Sequence, residues 1–433
     1  MSKKSLGTPP KQGESQVSKK SLGTPPKQGE SQVSKSRLTI GGYGEAVYSR
    51  HFYSDNVFRY SHADRYADSK GYGRLDLPHA VIMLGYDFGH GWTVGTEIEF
   101  EHGGIEAAVE KETEETGEFE QEIERGGEVA LEQFWVQKSF GNAFNIRAGH
   151  IVVPVGMTNA NHLPTQFFSP YRPEGENTIM PCTWHETGIA LWGKVGSWRY
   201  EVQLLPALNS NLFNDAGWVH NGSASPYEFR PANSLAGAAR VDWTGVKGLR
   251  LSLSGYIGNT FNNDITTTVY PETSRYYGAT GTLAIGCFDF AFKNRVFMVR
   301  GNFDYGYLGD ASLISTRNKN QTTMTGNPYP HTAVGQRAYD FSHEVGINLL
   351  AWSHTAAKLY LYGRYDHYDS FVPAEGWTDV EWAERQVVSA GVNYYPLPEI
   401  AIKAEGGVRL LSSQYNNEPY FALGITWAGF FNH

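Results

Sequence analysis

Fifteen charged side chains fall on alternate residues of short segments: Glu97, Glu99, Arg147, Arg199, Glu201, Arg240, Asp242, Arg250, Arg300, Asp304, Arg364, Asp366, Lys403, Glu405 and Arg409. Groups of these types could transfer protons, hold a cation or line a wet passage. In a dry core each would cost several kcal/mol, whereas in a wet interior each costs little. Both signs are present and many could pair across neighbouring segments, stiffening the wall that carries them. The catalytic alternative finds little support. There is no Gly-x-Ser-x-Gly elbow, no His-Glu-x-x-His and no phosphate-cradling glycine loop, so no catalytic residue is assigned. The fourteen histidines are scattered; His354 and His367 lie in different segments without ligand spacing, and His185-Glu186 lacks a nearby nucleophile. No metal and no cofactor is expected.

The elements that carry these charges have a period of two. Leu249-Arg250-Leu251-Ser252-Leu253-Ser254 alternates strictly, as do Trp198 to Leu204 and Ile400 to Glu405. Segments of about ten residues match a tilted strand that crosses a bilayer. Sixteen can be placed, from 37–50 to 418–431, with irregularities expected around Pro78 and Glu132. The connections alternate between short turns, such as Gly89-His90-Gly91 and Lys293-Asn294, and a mostly long set. The long set is 51–72, 103–127, 153–185, 207–233, 260–279, 310–342, 371–384 and 412–417. The fold class expected is therefore all-β: a 16-stranded antiparallel transmembrane β-barrel with short periplasmic turns and long extracellular loops. An even strand count closes the sheet, which lipid demands because it cannot satisfy an open edge.

The uncharged phase of each strand is apolar or aromatic: Phe144, Ile146, Ala148; Val202, Leu204; Val345, Ile347, Leu349; Phe421, Leu423, Ile425. It should face lipid, with Trp92, Trp198, Trp243, Trp352 and Trp427 near strand ends as an aromatic girdle. Mean hydropathy is −0.42 and no segment approaches the run of about 18 apolar residues needed for a membrane helix. A barrel with one wet face has such an average. The two cysteines, Cys182 and Cys287, make neither a disulfide framework nor a metal cage, and Cys287 is assigned to the lipid-facing phase.

Two segments stand apart. Residues 2–17 recur unchanged as 18–33, and 1–35 reads as a disordered tail of net charge +5, leaving −14 on 36–433, the barrel. The tail is read as a linker, or as a basic arm for a periplasmic partner. Ten glutamates lie between 103 and 128, a solvated acidic loop or a loose bridge through divalent cations to lipopolysaccharide. The net charge of −9 argues against nucleic acid. No apolar leader follows the first lysines, so for an exported barrel the leader is expected to have been removed. Loop 153–185 is rich in proline and aromatics, so it should be compact. Folded inward, it would set a constriction bearing Arg172, Glu174 and Glu176, where fixed charge focuses the field on a passing ion.

Asn145-Ile146-Arg147-Ala148-Gly149-His150 followed by Pro154-Val155-Gly156, with Leu131 to Val136 upstream, resembles the phosphate-selective porin O and P family in its Bacteroidetes form. The resemblance implies a trimeric 16-stranded porin of the bacterial outer membrane. That family relies on a ladder of arginines and a lysine cluster, whereas the phase here mixes acids with bases. The expectation is a general passive channel for small hydrophilic solutes or ions, weakly cation-preferring. The alternative is a structural or surface-adhesion barrel with its pore closed.

Overall fold

A computed structural model describes residues 37–103, 129–225, 229–264, 270–320 and 330–431, plus the backbone of four short pieces between 106 and 126. The side chains of the acidic loop and the repeated tail 1–35 lie outside the described residues.

One antiparallel sheet closes on itself. Its strands are β1 (Leu38–His51), β2 (Tyr72–Asp76, continued as His79–Gly89), β3 (Trp92–Glu101), β4 (Val129–Ser139), β5 (Asn145–Val152), β6 (His185–Val195), β7 (Trp198–Pro206) and β8 (Leu235–Trp243). They continue as β9 (Leu249–Asn259), β10 (Thr282–Lys293), β11 (Phe297–Leu308), β12 (Arg337–Asn348), β13 (Lys358–Val372), β14 (Glu384–Leu397), β15 (Ile400–Leu410) and β16 (Glu418–Phe430). Each pairs with its sequence neighbours, and β1 pairs with β16 from Gly41↔Phe430 to His51↔Tyr420. The count is sixteen because the two pieces of β2 both pair with β1 and are one crossing. Leu77-Pro78 breaks it, since proline has no N–H to give to the ladder.

Two further features follow from local chemistry. The register between β3 and β4 shifts at Glu97/Ile98, which face Gln133 and Leu131, so Glu132 is an extra residue in the strand. Such a bulge re-aims side chains, and Glu132 and Gln133 are both buried. The outer face alternates as the period of two requires: Val202, Leu204, Leu361 and Ile425 are each about half exposed, with intervening residues buried. All five girdle tryptophans sit at the short-turn rim, and Trp198 and Trp243 lie 6.4 Å apart across β7 and β8.

Cys287 requires a correction. It lies on the inward phase of β10 with Leu283, Ile285 and Asp289, 3% exposed, while Phe288 faces out. The apolar residues Leu283 and Ile285 are not a lipid stripe; they meet loops that fill the barrel. Cys182 and Cys287 are both free thiols.

A candidate pore constriction inside the barrel

Residues 153–184 enter the barrel between β5 and β6, closed at the base by Val153 N–H donating to Trp184 O at 2.8 Å. Two short helices shape the segment, α2 (Met157–Ala160) and α3 (Glu174–Ile179). Gly156 leads into α2 with φ +86°, and a Cβ there would lie 2.4 Å from Glu176 Oε1. Only glycine allows both that backbone conformation and that approach.

Glu176 is 2% exposed and accepts from the N–H groups of Met157 (2.8 Å), Thr158 (2.9 Å) and Asn159 (3.0 Å). Burial drives its carboxyl above the usual range despite those donors. It therefore points into the loop and not toward a passage, clamping α2 to α3. Arg172 also turns to the wall: Nη1 donates to Cys182 O at 3.1 Å, and Nη2 lies 4.0 Å from Glu99.

Glu174 occupies the more open position. Arg409 Nε is 2.8 Å away, Arg385 lies at 3.9 Å and the Tyr368 hydroxyl donates to it. Burial opposes its charge, yet the two arginines hold its carboxyl below the usual range. Arg409 also pairs with Glu418 (3.1 Å), which pairs with Arg59 (2.7 Å). Tyr60 and Trp382 stack above this network at 4.8 Å and line a cavity of about 490 Å³ at the long-loop rim.

The wall charges all point inward, and most are buried. Lys403, 1% exposed, donates to the carbonyls of Pro164 (2.5 Å), Phe167 (3.0 Å) and Ser169 (2.8 Å). Arg300 pairs with Glu344 (2.7 Å) and donates to Gln166 O. Arg240 joins Asp242 (2.7 Å) and Asp289 (2.8 Å) and donates to Gly156 O. Arg250 reaches Asp289 at 3.2 Å and Asn161 at 2.5 Å. Arg364 pairs with Asp366 along its own strand. Glu405 accepts from Tyr362, Ser389 and Tyr420. Asp304 accepts from Asn302. Nearer the short-turn rim, Arg199 pairs with Glu201 and Asp242, and Arg147 donates to Gln137 over the Trp135 ring. Glu97 accepts from Gln133.

Sequence reasoning missed several inward charges: Glu45, Glu132, Glu186, Asp289, Asp340, Glu344, Arg385 and Glu418. Asp289 was lost with the phase of β10. Asp340 and Glu344 share the phase of Ser342, opposite Val345 and Ile347, so simple alternation could have found them. It also missed that the described parts of loops 207–234, 260–281 and 309–336 help fill the barrel. Phe213, Trp218, Phe261 and Ile314 form one buried cluster with Trp184, Leu205, Leu283 and Tyr256.

No family model matches the chain. An uncharacterized protein of Aquifex aeolicus (strain VF5) is 25% identical over 405 residues, 90% of this chain and 79% of that one. Among solved structures, OmpF of Salmonella typhi in complex with daunomycin superposes with a TM-score of 0.53 at 12% identity, over 90% of this chain and 97% of that one. An anion-selective porin from Comamonas acidovorans gives 0.49 at 10% identity, over 90% and 99% of the two chains. The barrel is thus of the architecture that outer-membrane porins use.

Proposed function

We propose that this protein is a narrow passive channel of the bacterial outer membrane for small hydrophilic solutes or ions, with residues 153–184 as its constriction. The carrying observation is the inward face: charged side chains of both signs run from Arg199 and Arg147 near the short turns to Arg409 and Glu418 near the long loops. A barrel with no polar traffic has no need to seat so many ions where each must be compensated. Glu174, Arg385 and Arg409 are the charges a permeating ion would meet first, below the Tyr60–Trp382 rim. Kinship with the phosphate-selective porin O and P family, a homotrimer, contacts with lipid and lipopolysaccharide and a periplasmic partner for 1–35 belong to the same proposal.

A second reading has its own support. Lys403, Asp304, Asp340 and Asp366 are at most 1% exposed, so bulk water does not reach them in this state. A closed structural barrel would have this interior. Planar-bilayer recording of the purified chain under a salt gradient separates the two. Stable current steps support the channel, and silence from folded barrel supports the closed one. A strong anion preference would overturn the general, weakly cation-preferring pore.

A further inference from the structure

The bulge in β4 sets Glu132 inward at full burial, beside Glu97 on β3 and opposite His162 of the inserted loop. One ligand atom from each of these three residues lies within 4.8 Å of the others. The details are those of a built site. His162 Nδ1 lies 3.0 Å from Asn159 O, and a carbonyl can only accept, so Nδ1 carries the proton. In the neutral ring Nε2 then bears the lone pair, and it faces Glu132 Oε1 at 3.8 Å. A lone pair and a carboxylate oxygen repel each other unless a proton or a metal ion lies between them, and 3.8 Å is too long for a direct N–H···O bond. Oε1 of Glu132 has no hydrogen-bond partner although the residue is 0% exposed.

The outer contacts orient the donors as metal sites require. Tyr43 donates to Glu132 Oε2 at 3.1 Å, and Gln133 donates to Glu97 Oε2. Glu45 and Glu99 are buried nearby, each with one carboxylate oxygen that has no hydrogen-bond partner. Arg172, Arg147 and His79 are the cations facing this group: His79 is committed to Glu45 at 2.7 Å, Arg172 lies 4.0 Å from Glu99, and Arg147, on the side of Glu97, donates to Gln137. Four buried carboxyls thus face two arginines and an imidazole already held by Glu45, where isolated ions are most costly.

We infer that Glu97, Glu132 and His162 bind a divalent first-row metal ion, with zinc or manganese suited to one imidazole and two carboxylates. The ion ties the inserted loop, through His162, to the wall formed by β3 and β4. This site stands whether or not the barrel conducts. Because its donors are buried, the ion enters as the chain folds.

The test is to refold the full chain with Zn2+, with Mg2+ or with EDTA, pass it through a desalting column and measure bound metal and thermal midpoint. The expected result is stoichiometric Zn2+ and a raised midpoint, with no such gain from Mg2+. His162→Asn and Glu97→Gln should each weaken Zn2+ retention by about tenfold or more. Heat-modified gel mobility shows that each variant is folded, and one variant from the loop and one from the wall ensure that at least one can be read. Absence of bound Zn2+, an equal gain from Mg2+, or unchanged retention in a folded variant would overturn the site.

Discussion

Two regions of the interior solve the same problem by opposite means. Behind β6 to β11, most inward residues near the long loops are small or apolar, such as Ala190, Leu205, Ala236, Ala238 and Ile285, and they receive Trp184, Phe213, Trp218 and Phe261. Across the barrel, β12 to β16 present Glu344, Arg364, Asp366, Lys403 and Glu405; Lys403 meets backbone carbonyls of the loop, and the others pair with polar side chains. The apolar side holds by area and fit, which are non-directional. The charged side holds by hydrogen bonds, each of which is costly if one partner leaves. The first region should therefore anchor the loops, and the second should be where they can be released.

The largest effect should come from the apolar side. Trp218 is fully buried, packs against Gly306 and donates from Nε1 to Gly335 O at 2.9 Å. Trp218→Ala should cost about 3–5 kcal/mol, seen as a lower thermal midpoint and faster proteolysis within 207–234. A variant as resistant as the parent would break the comparison. Lys403→Met comes next. It keeps the length of the side chain but strands three carbonyls, at about 1–3 kcal/mol for a buried group left without its partner. Here the expected readout is release: higher single-channel conductance and cleavage within 153–184, with little change in the midpoint of the barrel itself. Unchanged conductance would mean the charged side does not gate anything.

Gly156→Ala sharpens the picture at the hinge. A positive φ costs a non-glycine residue about 1–2 kcal/mol, and the added carbon would also press on Glu176, 2.4 Å away. Limited proteolysis of α2 and α3 should register it before global unfolding does. Glu174 supplies a pH test. Its folded value is depressed, so it contributes stability above the unfolded value of about 4.3, lost as pH falls through the folded value. Conductance should accordingly be flat from neutral pH through the usual carboxylate range and change only below it; Glu174→Gln should abolish the acid step. The smallest effect belongs outside both regions. Arg74 pairs with Asp76 but is 47% exposed, and Arg74→Ala should change stability by no more than about 1 kcal/mol.

Much of this could be read along the chain because a membrane barrel is patterned locally. Lipid on one side and a polar interior on the other impose alternation at every strand, and Pro78 and the Glu132 region announce their own irregularities. The failures share one cause. In β10, apolar inward residues such as Leu283 and Ile285 imitate a lipid stripe, and so Cys287 was placed on the wrong face and Asp289, on the same phase, was missed. Glu176 has the composition of a constriction charge, yet three backbone N–H groups capture it.

Strand number, closure, the sign-mixed inner phase and the alternation of short and long connections were determined by sequence alone, since each depends on residues close together in the chain. Tertiary structure decided which loops enter the barrel, which charges they neutralise and where Glu97, Glu132 and His162 converge. Those contacts join residues tens to hundreds of positions apart, and their energy comes from burial and mutual desolvation, which no local pattern records.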